Sequence, residues 1–468
     1  MRSALKRRRL TPDDSEILQA SFEGDCAAVG AYLAKGAPIN YAGPDGATAL
    51  ILAIQEDRPA IVDLLVDAAD LSQTAVNGTT PLFFAVVNDR RAMVELLLRR
   101  KVDVNHRLVS GATPLFIAVQ WNFLEITRML LDHGADVNHL ISSNESALCY
   151  AAKYGHGAVS ALLLERGAHP NHMTDNHTSP LFIATDNGDL NMMKILIDAG
   201  ANPNLNKPNG ITPLFVAIHN GCVEAMQLLL DHKATVNHVM AGGATPLFFA
   251  ARANRPDVLQ LLLDHGAHVD RAKPAGTTPL FIASLLGHTP NATLLLNHGA
   301  NVNSATTNGA IPLFAAAQEG SHELVGVLLH HGADASRAVG NVTPLRLAQK
   351  AGHVFAARLI EASLIARQVA RAGCIDMFQH AAEDGTFPAP LRQWLPALPP
   401  NARENLSAWT RQRRTDERAC YTAFYGPQAI PPLQGLRDCD DLRRLLLTYL
   451  VPTAEPRKRI RELQAGGC

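Results

Sequence analysis

A short motif recurs along this chain at an almost constant spacing, and no other feature of the sequence constrains the fold as strongly. The motif is Thr-Pro-Leu or a close variant such as Ser-Ala-Leu or Ile-Pro-Leu. Successive copies are 33 residues apart, except in the first and last intervals, which are 32 residues long. The ten copies begin at Thr48, Thr80, Thr113, Ser146, Ser179, Thr212, Thr245, Thr278, Ile311 and Thr343. A period of this length predicts a stack of small repeated units that fold as one body.

Each unit carries the signals of two short helices. In one copy the hydroxyl of Thr113 can cap a helix N-terminus, and Pro114 suits a first helical turn because no backbone N–H is needed there. The leucine-rich stretch 123–132 predicts a second helix, which Gly134 should end by adopting a positive φ. The Ala-Asp-Val-Asn that follows is typical of a turn. Because such a helix pair cannot bury its apolar face alone, we expect the units to stack into an all-α array.

Two positions within the unit repeat with a clear packing role. One of them holds a small residue, alanine, which should let adjacent helices approach closely. The alanines at this position are Ala85, Ala118, Ala151, Ala184, Ala217, Ala250 and Ala283. The residue after the motif is aromatic in most units: Phe83, Phe116, Phe182, Phe215, Phe248, Phe281 and Phe314, with Cys149 in one unit. We expect the aromatic residues to form a buried column between repeats, because each buried Phe is worth roughly 1.5–3 kcal/mol. The alternative is a partly exposed column that grips an apolar ligand.

Together these residues resemble the ankyrin repeat, whose pattern runs Thr-Pro-Leu, Ala, a Leu-Leu-Leu helix, Gly-Ala and Asp-Val-Asn. The resemblance covers roughly residues 14–362, or about eleven repeats, with 14–46 as an N-terminal capping unit. Two departures are clear: Phe replaces the family's usual His after Thr-Pro-Leu, and Arg346 replaces Phe in the last unit, as suits a wetter terminal cap. The resemblance implies a curved ankyrin-repeat solenoid of helix-turn-helix-hairpin units that acts as a scaffold binding client proteins.

The resemblance also implies that partners bind a concave surface, chiefly at the ends of the first helices and on the hairpins. These helix-end positions vary from unit to unit while the framework does not, as expected of a binding surface. Trp121 and Tyr154 stand in adjacent units and are of the kind that anchors interfaces, although Trp121 can alternatively pack against Phe123. The candidate partner-binding residues are Gln120, Trp121, Lys153, Tyr154, Asp186, His219, Arg252, Leu285 and Gln318.

Histidines and asparagines recur with the same period and receive structural interpretations. Histidines end the second helix (His133, His232, His265, His298, His331) or follow it (His106, His139, His172, His238). A pH sensor or a metal ladder is conceivable, but repeats stacked roughly 10 Å apart cannot share one ion, and a His at a helix C-terminus is favoured by the helix dipole. The recurring Asn of the turn, such as Asn105 and Asn138, is interpreted as a turn residue; the resemblance implies that it can also be hydroxylated.

Composition and motifs narrow the function further. Seven scattered cysteines with no Cys-x-x-Cys pair predict reduced thiols and an intracellular location, cytoplasmic or nuclear. We expect no signal peptide and no membrane span. A formal net charge of −1 gives no general reason to expect nucleic acid as a partner. Nucleotide-binding, metalloprotease and nucleophile-elbow motifs are absent from the sequence. We therefore expect protein partners, with no small-molecule substrate, no cofactor, no metal and no enzymatic activity.

The ends of the chain depart from the repeat. We expect residues 1–13 to form a basic N-terminal tail and the array to occupy 14–362. Residues 363–468 are predicted to form a Pro-interrupted helical extension, with helices over 364–380, 401–425 and 438–450. One interpretation is that the extension covers the end of the array. The alternative is that its helices, above all the Leu-rich residues 442–450, dock the chain as a substrate-recruiting adaptor of a ubiquitin ligase.

Overall fold

The computed structural model describes residues 16–371, which fold into eleven successive pairs of helices. They divide into two compact units between Thr235 and Val236. We call residues 16–235 the N-terminal stack and residues 236–371 the C-terminal stack. Within the described residues β structure is limited to isolated bridges in the loops. The all-α repeat fold predicted from the motif spacing is therefore confirmed.

The N-terminal stack contains seven helix pairs. The first helix of each pair packs against the second helix of its own pair and against the first helix of the next. The first helices are α1 (Glu16–Glu23), α3 (Ala49–Gln55), α5 (Pro81–Val87), α7 (Pro114–Gln120), α9 (Ala147–Tyr154), α11 (Pro180–Asp186) and α13 (Pro213–Asn220). The second helices are α2 (Cys26–Ala34), α4 (Pro59–Leu65), α6 (Arg91–Arg99), α8 (Leu124–Asp132), α10 (Gly157–Glu165), α12 (Leu190–Asp198) and α14 (Val223–Asp231).

The C-terminal stack contains four helix pairs packed in the same way. Its first helices are α15 (Pro246–Arg252), α17 (Pro279–Leu285), α19 (Pro312–Glu319) and α21 (Pro344–Lys350). Its second helices are α16 (Pro256–Asp264), α18 (Thr289–Asn297), α20 (His322–His330) and α22 (Val354–Arg371).

The last helix, α22, has 18 residues where most other second helices have nine. The helix predicted to begin at residue 364 is, up to Arg371, the continuation of α22. The physical reason is that residues 354–371 contain neither Gly nor Pro, so the glycine that ends most of the other second helices is missing. Residues 372–380 of that predicted helix lie outside the described residues, as do the other helices predicted for the extension. The domain division at residues 13 and 362 stays a prediction.

Side-chain caps begin most of the first helices, as the motif predicts. The hydroxyl of Thr113 accepts a hydrogen bond from the backbone N–H of Phe116 at 3.3 Å, and the same bond forms at seven other copies of the motif. Ile311 has no hydroxyl to offer, and Thr212, although it has one, makes no such bond. The cap is therefore a local property of the motif that the stack can override.

The core of each stack is built from the recurring small and aromatic positions. The seven recurring alanines are completely buried. Phe83, Phe116, Phe182, Phe215, Phe248 and Phe314 are buried as well, whereas Phe281 is only partly buried. The predicted burial of these rings is confirmed for those six, and they offer no exposed face to an apolar ligand.

Asparagines in the linking loops join each unit to the next. The amide of Asn138 donates to the carbonyl oxygen of Gly167 at 3.0 Å, and its side-chain oxygen accepts from the backbone N–H of His169 at 2.9 Å. The amide nitrogen and the amide oxygen of Asn138 thus bond to residues 29 and 31 positions further along the chain, in the next unit. The same pair of bonds forms at Asn105, Asn171, Asn204, Asn237 and Asn303. These residues were predicted to shape turns; in the structure they also tie repeats together.

Candidate protein-binding surface

The candidate partner-binding residues lie at the C-terminal ends of the first helices, which is where the repeat pattern predicts them. Gln120, Tyr154, Asp186, Arg252 and Leu285 are the last residues of their helices. Trp121 caps the end of α7, while Lys153, His219 and Gln318 are each the last residue but one. We call this set the helix-end row and treat its N-terminal and C-terminal parts separately.

The helix-end row is more accessible than the framework around it. Gln120 and Trp121 are partly buried, and the other seven residues of the row are exposed. The recurring alanines lie in the middle of the same helices and are fully buried. The first helices that carry the row therefore bury their middle residues in the stack and leave residues at their C-terminal ends accessible to a partner.

An aromatic cluster dominates the row in the N-terminal stack. Tyr150 packs edge-to-face against the buried Phe116, with ring centroids 5.0 Å apart. The ring of Tyr154 lies next to Tyr150, with centroids 4.6 Å apart, and Tyr154 is 53% exposed. The three rings run from the core to the surface, so the exposed ring rests on a buried support. Such support favours an interface anchor, because the ring is held in place before a partner arrives.

Tyr150 is the member of this cluster that the sequence analysis missed. It occupies a position that holds Phe84, Ile117, Ile183 and Val216 in neighbouring units, so the repeat pattern assigns it to the apolar core. The signal that could have identified it is the phenol itself, since a buried Tyr hydroxyl needs a hydrogen-bond partner. Tyr150 therefore belongs to the candidate surface as well as to the core.

Hydrogen bonds fix the Tyr150 hydroxyl between two residues of the row. Burial raises the pKa of Tyr150 to about 12, and the neighbouring Tyr154 acts in the same direction through a hydrogen bond and its charge. A hydrogen bond with Gln120 acts in the opposite direction. The hydroxyl thus contacts Tyr154 of the same helix and Gln120 of the preceding unit. It stays neutral at physiological pH.

The surroundings of Tyr154 are polar. The ammonium group of Lys153 lies 5.5 Å from the centroid of the Tyr154 ring. From the next unit, the amide of Asn187 donates to the backbone carbonyl of Lys153 at 2.9 Å, and the exposed Asp186 precedes it. A partner at this point meets an aromatic face bordered by one cation and one anion.

In the C-terminal stack the row includes an exposed aliphatic side chain, Leu285, with a second leucine beside it. Leu285 ends α17 and Leu286 follows it, and the two side chains are 40% and 41% exposed. The preceding unit presents Arg252 and the following unit presents Gln318 and Glu319, all exposed. Two adjacent exposed leucines with a charged border form a small apolar contact point of the kind found in interfaces.

The recurring histidines hold backbone carbonyls. Nδ1 of His133 lies 2.8 Å from the carbonyl oxygen of Met129, four residues earlier in the same helix, and His265, His298 and His331 make the equivalent contact. Nε2 of His139 lies 2.8 Å from the carbonyl oxygen of Gly111 in the preceding unit. Seven of the nine recurring histidines thus contact a backbone carbonyl, as a structural role requires. Within residues 16–371 no group of three or more His, Cys, Asp or Glu side chains is placed to hold a metal ion.

Two further properties concern the described residues as a whole. Cys26, Cys149 and Cys222 are free thiols, and burial raises the pKa of Cys149, which keeps that thiol protonated and unreactive. Across residues 16–371 no helix combines the length and the apolar character needed to cross a bilayer.

Comparison with known proteins gives a family match. The family model for ankyrin repeats (3 copies) matches residues 17–108, 93–174, 181–273 and 270–338, which together make up more than half of the chain. Among solved structures, the chain is similar to the ankyrin repeat domain of Bcl-3, described as a unique member of the IkappaB protein family. The identity is 28% over 44% of this chain and 95% of that one, with a TM-score of 0.42. The human ASB11 ankyrin repeat domain is 29% identical over 48% of this chain and 99% of that one, with a TM-score of 0.41. No curated protein sequence matches the chain.

Proposed function

The chain belongs to the ankyrin-repeat family, a family of protein–protein interaction scaffolds, and we propose that it binds client proteins through its helix-end row. The row lies on the face that the resemblance predicts to be concave. The observation that carries the proposal is the contrast within each first helix: a buried middle that repeats and an exposed end that varies. A surface that keeps its geometry while changing its chemistry from unit to unit is suited to recognising one partner among many.

The strongest anchor in this proposal is Tyr154. Tyrosine and tryptophan dominate the energetics of interfaces because they bury large areas with little loss of side-chain freedom. Tyr154 is already held by Tyr150, and Trp121 caps the end of the first helix in the preceding unit. We expect the N-terminal stack to bind its client around these rings. Leu285 and Leu286 are the corresponding anchor of the C-terminal stack.

Other classes of function receive less support. Ankyrin repeats are interaction modules rather than catalytic ones, and the absence of enzymatic activity stays a prediction, as do the absence of small-molecule and nucleic-acid partners and the cytoplasmic or nuclear location. The ligase-adaptor alternative depends on residues 442–450, which lie outside the described residues. No observation in the structure favours it over the scaffold.

The test compares partners captured by full-length variants from a lysate of the source cells. Trp121→Ala/Tyr154→Ala should lose the clients of the N-terminal stack, and Leu285→Ala/Leu286→Ala those of the C-terminal stack. A hot-spot loss of about 2 kcal/mol corresponds to roughly 30-fold weaker binding, measurable by titration once a client is identified. Tyr41→Ala is the matched control, because Tyr41 is also an exposed tyrosine of the N-terminal stack but lies outside the row.

Each outcome bears on the proposal. Unchanged melting curves for all variants exclude a folding defect as the cause of any loss. If both double variants retain every specific client of the wild-type chain, the helix-end row is not the binding surface. If a client is lost only when residues 442–450 are altered, the adaptor alternative gains the support that it now lacks.

A further inference from the structure

The last repeat carries an exposed aromatic side chain at a position where the nine preceding repeats have no large apolar residue, and an exposed valine precedes it. Val354 and Phe355 begin α22 and are 56% and 62% exposed. The position of Phe355 is occupied in the nine preceding copies by Ala60, Ala92, Glu125, Ala158, Asn191, Glu224, Asp257, Pro290 and Glu323. A large aromatic side chain has therefore replaced a residue type that suits water, at one site only.

The repeat architecture itself does not account for this patch. Terminal repeats of a solenoid normally turn a polar surface outward, and Arg346 of the same repeat does so: it is exposed and donates to the carbonyl oxygen of Asn341 at 2.8 Å. Phe355, in contrast, exposes an apolar ring to solvent. Its one aromatic neighbour among the described contacts is His322 of the preceding repeat, with ring centroids 5.9 Å apart. Exposed apolar patches of this kind mark surfaces that something else covers.

We propose that the patch formed by Val354 and Phe355 is covered by the chain's own residues 442–450. This segment contains Leu442, Leu445, Leu446, Leu447, Tyr449 and Leu450, and it is the most leucine-rich stretch of the 97 residues that follow Arg371. Its apolar side chains match the chemistry of the patch. The proposal is independent of the function proposed above, because the patch lies on a second helix and not on the helix-end row.

The length of chain between Arg371 and the segment favours this occupant. Phe355 and Arg371 are separated by 16 residues of helix, or about 24 Å, whereas the 70 residues between Arg371 and Leu442 have a contour length of more than about 200 Å. Tethering raises the local concentration of the segment above that of any free copy. Arg358 is exposed and lies three residues after Phe355, on the same side of α22. Asp438, Asp440 and Asp441 precede the leucines and can pair with that charge, and Arg437, Arg443 and Arg444 leave this stretch with no net charge.

The experiment places a photo-crosslinking benzoylphenylalanine at position 355 of the full-length chain. The purified, dilute protein is irradiated, and the crosslinked peptides are identified by mass spectrometry. We expect an intramolecular crosslink from position 355 to residues 442–450. The matched control carries the same group at position 323, the equivalent exposed site of the preceding repeat, and should not give this crosslink.

Substitutions within the segment sharpen the test. Leu445→Asp/Leu446→Asp should reduce the crosslink from position 355 to the background level, whereas Thr448→Asp, which changes charge in the same segment without removing a leucine, should retain much more of it. The proposal is overturned if position 355 crosslinks to a second copy of the chain, to another part of the same chain, or to nothing. It is also overturned if the leucine variant crosslinks as well as the wild type.

Discussion

The two stacks share one framework and present different surfaces. Both bury the same alanine position and most of the phenylalanines that follow the motif, and both link their repeats through loop asparagines. Their helix-end rows differ: that of the N-terminal stack is aromatic and polar, and that of the C-terminal stack is aliphatic at Leu285 and Leu286. Since the framework is the same, the difference lies in what each stack can bind.

Charge separates the stacks further. Residues 16–235 contain 14 Lys and Arg against 23 Asp and Glu, a formal charge of −9, whereas residues 236–371 contain 10 against 7, a charge of +3. A net field of one sign steers partners of the opposite sign and makes association depend on salt. We therefore expect the N-terminal stack to prefer basic clients, and the chain's overall charge of −1 hides this preference.

The links between neighbouring repeats also differ in chemistry. In the N-terminal stack Arg90 pairs with Asp57 and Arg100 with Asp67, both at 2.7 Å, across successive units. In the C-terminal stack the buried Asn291 donates to the carbonyl oxygens of Ala250 and Ala251 at 3.3 and 3.1 Å. Exposed ion pairs contribute little to stability. The apolar core therefore holds both stacks together, and the polar links are free to vary.

The largest expected effect tests whether the aromatic column contributes equally to both stacks. Phe83→Ala removes a fully buried ring of the N-terminal stack and should lower the free energy of unfolding by about 3–5 kcal/mol. Phe281→Ala removes a partly buried ring of the C-terminal stack and should cost roughly 1–2 kcal/mol, because less apolar area leaves water there. Hydrogen exchange measured for each stack separately avoids assuming that the chain unfolds in one step.

Equal losses for the two phenylalanine variants would contradict this ranking. They would mean that the C-terminal column is as tightly packed as the N-terminal one, despite the greater exposure of Phe281. Phe249→Ala is a useful control, since this partly buried ring lies in the C-terminal stack at the next position of the repeat.

A smaller effect, expected to be the same in both stacks, concerns the loop asparagines. Asn138→Ala and Asn303→Ala each remove one donated and one accepted hydrogen bond at closely similar distances. Each should lower the free energy of unfolding of its own stack by about 1–2 kcal/mol. Asn176→Ala, at an exposed site in a linking loop, is the control and should change stability by less than about 0.5 kcal/mol. A large difference between the stability losses of Asn138→Ala and Asn303→Ala would show that equal hydrogen-bond geometry does not give equal stabilisation in the two stacks.

The smallest effect appears only at high pH and only in the N-terminal stack. The pKa of Tyr150 is raised to about 12, above the value of about 10 for an unfolded chain. The folded state therefore holds this proton more tightly, and its contribution to stability is complete below pH 10 and is lost as the pH rises toward 12. Tyr150→Phe should remove this part of the pH dependence and lower the free energy of unfolding near neutral pH by about 1 kcal/mol at most, the value of a hydrogen bond.

Thermal unfolding followed as a function of pH measures the effect of Tyr150. Tyr41→Phe, at an exposed tyrosine of the same stack, should leave the wild-type pH dependence intact. If Tyr150→Phe and the wild type lose stability in parallel above pH 10, the hydroxyl is not held by Gln120 and Tyr154 as the structure describes.

Local patterns in the sequence were sufficient to predict the framework. The spacing of Thr-Pro-Leu predicted the helix pairs, Thr113 and its equivalents predicted the caps, and the recurring Phe and Ala positions predicted the core. Each of these properties depends on residues that are close together in the chain, and repetition confirms the same pattern many times over. The family and its interaction role follow from these residues as well.

Contacts between repeats were decided by the tertiary structure. Whether the amide of Asn138 reaches Gly167, or the hydroxyl of Tyr150 reaches Gln120, depends on how neighbouring units are offset and which rotamers their packing allows. The 33-residue spacing of the motif determines neither the offset between units nor the rotamers. The same holds for the exposure of Phe355, because burial depends on what a neighbouring unit covers and not on the residue's own type.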